Sequence, residues 1–484
     1  MKRLFGVLIP LALVAAACGG AAAPASSPAS PSAAPASAKP VSAAASPAAS
    51  AAKPAASASA SAKPAASAAA ASASAKPAAS GSPIKIGLLQ PLTGIYANQG
   101  IDHSDGFKLY LESIGNSVAG RPIQLIVADD QGQPDVGLTK AKQLVDNDKV
   151  QILAGGTVTP ECYAIYPYAK EVQVPFVNTG NCIGYDLTTN PKYASPYGLR
   201  LSQHLLSSSD PLGDYAAKNG YQKGSIMSSD YAAGHQIADA FARSFVSRGG
   251  QIVQEQYPAQ GTTDFGPYLA RLDKNADFLF AFFPGVDGLR LMQAFDQYAD
   301  PKKVKVLDYG TAIGSGPNVA QLKDKAVGVT GGGTLYVDTI DSPENQALVK
   351  AFKAKFPQAD RFVDADVDRG YDGAGYIVAA IKAANGNVED RSPNSPFIQA
   401  LAKTQFTGAR GPIKLDEDRD AIQNCYIQQV VKEGNNFVFK IVATYPNVGK
   451  EWDTTKQEME KFPFGQLGNK WVGMTKEKLA ELTK

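Results

Sequence analysis

An α/β fold of two parallel-sheet lobes is predicted by three features of this sequence. From residue 84, short apolar runs alternate with helical periodicities. The rhythm breaks near residue 200 and resumes, and after about residue 410 it gives way to strand-like runs with no helix between them. Alternating strand and helix places the strands in parallel sheets covered on both faces. The units are too many for one compact sheet, so two lobes are expected. The late runs at 413–415, 425–431 and 437–442 read as strands returning to finish a lobe already begun.

The elements follow in order. The run 84–89 is the first buried strand. Over 102–114, Phe107, Leu109, Tyr110, Leu111 and Ile114 recur at near-helical spacing, and 123–128 is the second strand. Pro134 opens the next helix, as proline does at a first helical position. Val136, Ala141, Leu144 and Val145 mark its buried face. A strand at 151–154, a helix opened by Pro160 and a strand at 174–177 complete the first half. In the second half, 225–227 is a strand. Ile237, Phe241 and Phe245 then form the stripe of a helix that Gly249 and Gly250 stop. The run 277–283 is a strongly apolar strand, Leu289, Met292 and Phe295 face inward from the next helix, and 304–307 is a strand again.

Ahead of the lobes, Met1, Lys2 and Arg3 precede an apolar run over 4–16, and Ala15, Ala16 and Ala17 lead to Cys18. This is a secretory signal, too short for a bilayer span of about 20 residues. It resembles a bacterial lipoprotein signal. That resemblance implies removal of 1–17 and lipidation of Cys18, anchoring the chain to the membrane; an ordinary cleaved signal with an incidental cysteine is the alternative. Residues 19–82 are almost only Ala, Ser, Pro and Lys. Their prolines break every helical run, and they bury too little apolar surface to offset ordering entropy. We expect 18–82 to be a disordered tether with a reach of about 45 Å.

Of 47 basic and 45 acidic residues, six basic and no acidic ones lie in 1–82. The remainder is mildly acidic, which gives no basic surplus for nucleic acid. Beyond Cys18 the cysteines are Cys162, Cys182 and Cys425. In an exported chain Cys162 and Cys182 are candidates to pair, with Cys425 left over, or all three are buried thiols.

The stretch Ile84-Lys-Ile-Gly-Leu-Leu-Gln-Pro-Leu-Thr-Gly-Ile-Tyr-Ala-Asn-Gln-Gly100 resembles the opening strand and turn of the periplasmic substrate-binding proteins of branched-chain amino-acid ABC transporters. Asp129-Asp130-Gln-Gly-Gln-Pro134, Gly155-Gly156-Thr157, Val174-Pro-Phe-Val-Asn-Thr179, Asp230-Tyr231-Ala-Ala-Gly234 and Tyr371-Asp372-Gly-Ala374 match later family blocks in order. The resemblance implies a type I periplasmic binding protein: two Rossmann-like lobes, a three-strand hinge and a solute closed between the lobes. Lobe 1 would comprise 84–200 and 338–408, and lobe 2 would comprise 201–337 and 409–445. The tail 446–484 is unassigned. A monomer with no cofactor, delivering a small solute to ABC permease subunits, is implied.

Ligands in open parallel sheets bind beyond the carboxyl ends of the strands. There Gly155 and Gly156 permit close backbone approach. Thr157 is the candidate carboxylate ligand, with a structural turn as the alternative, and Thr159 is a candidate N-cap. Asn178, Thr179 and Asn181 follow the next strand. Tyr231 matches the family tyrosine that covers the ligand, and Tyr96 is placed to stack from the other side. Where amino-acid binders carry an acidic residue, this chain reads Phe282-Phe283-Pro284-Gly285-Val286-Asp287. Asp287 either holds an ammonium or caps the following helix. In the capping case, Phe282, Phe283 and the tyrosines suit an aromatic or other apolar carboxylate.

Catalytic and metal signatures are absent. His103, His204 and His235 lack His-Glu-x-x-His spacing. There is no Gly-x-Ser-x-Gly elbow. Gly331-Gly332-Gly333, without a following Lys-Ser/Thr, reads as a turn. A ligand sensor on the same fold and a lipoprotein hydrolase are the alternative classes.

Overall fold

The computed structural model describes residues 81–313, 316–332, 339–358 and 363–484. The expected signal peptide, Cys18 and nearly all of the expected tether lie outside the described residues.

The first sheet is built from β1 (Ile84–Gln90), β2 (Ser117–Val118), β3 (Arg121–Asp129), β4 (Ile152–Gly155), β5 (Phe176–Asn178) and β6 (Gly198–Arg200), in the order β2-β3-β1-β4-β5-β6. Only the β2–β3 hairpin is antiparallel. Between the strands run α1 (Ala97–Ser113), α2 (Pro134–Asp146) and α3 (Thr159–Val172).

The chain then enters the second sheet through α4 (Leu205–Lys218), β7 (Lys223–Ser228), α5 (Ala232–Ser247), β8 (Gln251–Gln256), α6 (Gly266–Leu269), β9 (Phe278–Phe282), α7 (Val286–Phe295), β10 (Lys305–Asp308), α8 (Gly316–Leu322) and β11 (Thr330–Gly332). It returns to the first sheet as α9 (Pro343–Lys355), α10 (Ala365–Ala383) and α11 (Pro396–Lys403). It closes with β12 (Phe406–Gly408), β13 (Gly411–Leu415), β14 (Ala421–Glu433), β15 (Asn436–Val448), α12 (Lys456–Lys461) and α13 (Lys476–Glu481). Among the described residues the second sheet has nine strands, ordered β12-β13-β14-β11-β10-β9-β7-β8, with β15 on β14.

Both sheets are covered on both faces, which is why β1 and β9 are apolar runs without alternation. In the first, Phe107, Tyr376, Ile377 and Phe397 pack on Ile84, Ile86 and Leu88. Ile165, Tyr166 and Leu144 pack on Leu89, Leu153 and Phe176 from the opposite side. In the second, Ile237, Phe241 and Phe245 pack on Phe278, Phe280 and Phe282. Leu291, Met292 and Phe295 cover Leu279, Ala281 and Phe283. The tail joins this lobe: Trp471 is fully buried, and its indole N–H donates to Asp239 Oδ1 at 2.7 Å.

The chain passes between the sheets after β6, after β11 and after α11. Beside the first passage a buried ionic cluster holds the crossing segments. Arg200 and Asp420 are both fully buried, with Nε 2.7 Å from Oδ1. Lys450, from the tail, lies 2.8 Å from Asp416 and from Asp418. Cys162 of α3 is joined to Cys182, Cα–Cα 6.1 Å, and Cys425 is a buried thiol in β14. Gly331 and Gly332 belong to β11 rather than to a turn, because Thr330–Gly332 pairs with β10 and β14.

Candidate functional site

The strand ends of the two sheets face one another, and their loops enclose a cavity with about 720 Å³ of atom-free space, open solvent included. The first lobe contributes Tyr96, Asn98, Gln99, Thr157, Asn181 and Asp366; the second contributes Tyr231, Phe282, Gly285, Tyr309, Thr311 and Asn318. Two contacts bridge the lobes at its rim. Gln260 Nε2 donates to the Tyr96 hydroxyl at 2.5 Å. Gly285, at φ 67°, sits so near that a Cβ there would lie 2.3 Å from the Ile95 carbonyl oxygen.

The first-lobe wall is polar. Thr157 follows β4, and its hydroxyl donates to Gln90 Oε1 at 2.7 Å, while Gln90 Nε2 is buried without a partner. Turning the Gln90 amide over makes Nε2 the donor to Thr157 and releases the threonine proton for an acceptor in the cleft. Gly155 and Gly156 serve chain packing rather than ligand approach. A Cβ on Gly155 would stand 2.0 Å from Leu89 O, and one on Gly156 2.7 Å from Cys162 Sγ. The α3 N-terminus is closed by Glu161, whose Oε2 accepts from Val158 N at 3.5 Å. Burial beside Asp130 pushes the Glu161 carboxyl well above its usual range, and burial raises Asp130 to about 6.

Asn181 donates through Nδ2 to Asp366 Oδ1 at 3.2 Å, and Arg369 Nη1 donates to the same oxygen at 2.7 Å. Asp364 caps α10, accepting from Asp366 N and Val367 N at 3.0 Å each, which fixes the turn carrying Asp366. Burial drives both members of the Asp366–Arg369 pair toward neutrality against their mutual attraction. Asp366 rises to about 7 and Arg369 falls.

The second-lobe wall is aromatic. Tyr231 precedes α5 and stacks on Phe282 with ring centroids 6.1 Å apart at 18°. Phe282 meets Tyr309 edge-on at 5.4 Å. Burial pushes the Tyr231 hydroxyl well above its usual value and Tyr309 to about 12.

Of the sequence-predicted residues, Tyr96, Thr157, Asn181 and Tyr231 line this cavity. The other five are placed elsewhere. Thr159 is the first residue of α3, not its cap, and its Oγ1 accepts from Ile183 N at 3.2 Å. Asn178 donates to Gly155 O and Gly156 O at 2.7 and 2.9 Å, a strand-end clamp. Thr179 Oγ1 bonds the buried His103 Nε2 at 3.0 Å. Phe283 points to the opposite sheet face, against Phe265 at 5.0 Å, because successive strand residues alternate. Asp287 sits in the first turn of α7, whose N-cap is Gly285, so it is not the cap. Its Oδ2 accepts from Gly261 N at 2.7 Å and its Oδ1 from Arg290 at 2.8 Å.

Phe282, which the sequence offered with Phe283 as an apolar contact, lines the cavity; Gln99, Tyr309, Thr311, Asn318 and Asp366 also line it, and sequence reasoning did not single them out. Phe282 differs from the chosen Phe283 only by strand parity, and Tyr309 stands at a strand end like Tyr231. Asp366 carries no local signal.

A family model described as periplasmic binding protein matches residues 83–435. This chain belongs to that family. Leu/Ile/Val-binding protein homolog 6 of Brucella melitensis is 28% identical over 373 residues, 76% of this chain and 92% of the relative. An ABC transporter substrate-binding protein from Sphaerobacter thermophilus is 30% identical with a TM-score of 0.69, covering 76% of this chain and 99% of that one. A solute-binding protein of an ABC transporter from Rhodopseudomonas palustris BisB5, in complex with 3,4-dihydroxybenzoic acid, is 32% identical with a TM-score of 0.69, covering 77% and 99%. This periplasmic binding protein has the type I fold. It is an extracytoplasmic solute-binding protein of the ABC-transporter type, a family that binds small solutes and works with membrane permeases.

Proposed function

We propose that the solute is a small aromatic carboxylate, held with its ring against the second lobe and its carboxylate at the first. The observation that carries this reading is the three-ring wall of Tyr231, Phe282 and Tyr309, in the same cleft as the Thr157 hydroxyl. Stacked and edge-on rings give aromatic solutes specific contact beyond simple burial. An aliphatic amino acid needs a charge partner for its ammonium, and Asp287 does not line the cavity but bonds Gly261 N and Arg290. The Rhodopseudomonas proteins of similar fold, in complex with 3,4-dihydroxybenzoic acid and with p-hydroxybenzoic acid, support the same class.

Thermal unfolding against aliphatic amino acids, aromatic acids, amides and short dicarboxylates tests it. A solute at about a hundred times its dissociation constant stabilises by roughly 2.7 kcal/mol. The expected outcome is a melting shift with aromatic acids; a shift with leucine or valine alone refutes it.

Several finer features complete the proposal. Cys18 carries the lipid anchor, on the strength of the signal that precedes it; Cys18→Ser should move the protein from the membrane to the soluble fraction. The chain works as a monomer, which gel filtration with light scattering checks. Residues 84–200 with 338–408, and 201–337 with 409–445, turn as two bodies about the three passages. The tail 446–484 moves with the second lobe, which its Trp471–Asp239 contact supports.

A further inference from the structure

Resting on the aromatic-acid reading above, we propose that Asp366 selects for a hydroxyl on the solute's ring, so that the protein takes hydroxylated aromatic acids in preference to the plain acid. Asp366 is 5% exposed and lines the cleft. Both donors that reach its carboxylate, Arg369 and Asn181, bond the same atom, Oδ1. No donor among the described residues reaches Oδ2. An ionised carboxylate oxygen only accepts hydrogen bonds. Water satisfies it in the empty cleft, and a solute that displaces that water must supply a donor in its place.

The chemistry of that donor follows from the charges. Arg369 already neutralises Asp366, so no net negative charge is left to offset the desolvation of an ammonium. A neutral O–H meets the requirement at lower cost. The carboxylate is also rigidly presented. Asp364 caps the turn that carries it. Asn181 is adjacent to Cys182, which is tied to α3. A solute that offers only a ring C–H leaves Oδ2 unpaired, a difference felt as about tenfold or more in affinity.

Titration calorimetry on the whole protein tests this with benzoate, 3- and 4-hydroxybenzoate and the matching methoxybenzoates, which fill the same space without a donor. At mildly alkaline pH, where Asp366 is ionised but the ring hydroxyl, like a tyrosine's with its pKa of about 10, keeps its proton, one hydroxybenzoate should bind about tenfold or more tighter than both benzoate and its methoxy twin. Asp366→Asn should erase most of that ratio. Equal binding of hydroxylated and plain acids overturns the role of Asp366 and leaves the aromatic-acid reading standing. A hydroxyl preference that survives Asp366→Asn overturns the assignment to this residue. Binding of leucine with none of the aromatic acids overturns both. If Asp366→Asn does not fold, the hydroxy-to-methoxy ratio of the unaltered protein, followed from alkaline to acid pH, decides: it should fall as Asp366 takes up a proton, and a constant ratio refutes the role.

Discussion

The two walls of the cleft are built by different physics. On the first lobe, short polar side chains are held by hydrogen bonds to groups behind them: Thr157 by Gln90, Asn181 by Asp366, and Asp366 by Arg369. On the second, Tyr231, Phe282 and Tyr309 hold one another by ring contact. Hydrogen bonds fix direction but contribute modest net energy, whereas buried rings contribute area with looser orientation. One wall therefore orients a solute and the other supplies most of the burial, and neither alone makes a site.

Substitutions on each wall should separate these roles. Phe282→Ala has the largest expected effect. It removes the buried central ring of the trio, costing about 3–5 kcal/mol of stability and abolishing measurable benzoate binding, read by denaturant unfolding and calorimetry. Phe282→Leu, which restores bulk without the ring, should recover stability more than affinity; equal recovery of both would argue against ring recognition. Thr157→Val keeps shape and removes the hydroxyl. It should weaken carboxylate binding about tenfold, with stability changed by roughly 1 kcal/mol from the partner lost to Gln90.

The pH response sharpens the orienting wall. Burial and Asp364 push Asp366 up, while Arg369 and Arg410 hold it down, leaving it at about 7. Its carboxylate, the form that accepts from a hydroxyl, prevails above that value and is lost as pH falls through it. Preference for hydroxybenzoate over benzoate should fall in the same window. The smallest effect belongs to Asp287→Asn. Both Asp287 oxygens are engaged outside the cavity, by Gly261 N and Arg290, so solute affinity should stay within about twofold while stability falls by about 1 kcal/mol.

Much of this architecture was legible from local pattern. Period and apolar runs placed β1, β4 and β9, and Pro134 marked the first residue of α2. The rule that ligands gather at strand ends pointed to Thr157 and Tyr231, which do line the cleft. It did not resolve parity at a strand end, where Phe282 faces the cavity and Phe283 the opposite layer. Nor did it separate a polar residue that clamps backbone, as Asn178 does, from one that lines space, as Asn181 does. Asp366 was hidden for a different reason. It reaches the cleft only because α10 returns to the first sheet after the chain has built most of the second, and nothing within its own window encodes that return. The tail was equally opaque, since Trp471 is buried by packing on α5, an element far earlier in the chain.

Solution scattering of the protein with and without benzoate tests most directly whether one solute engages both walls. If the carboxylate is held by the first lobe and the ring by the second, a saturating solute should lower the radius of gyration by closing the lobes. Calorimetric binding of benzoate with an unchanged radius of gyration would mean that a single wall suffices, and would contradict the two-wall cleft.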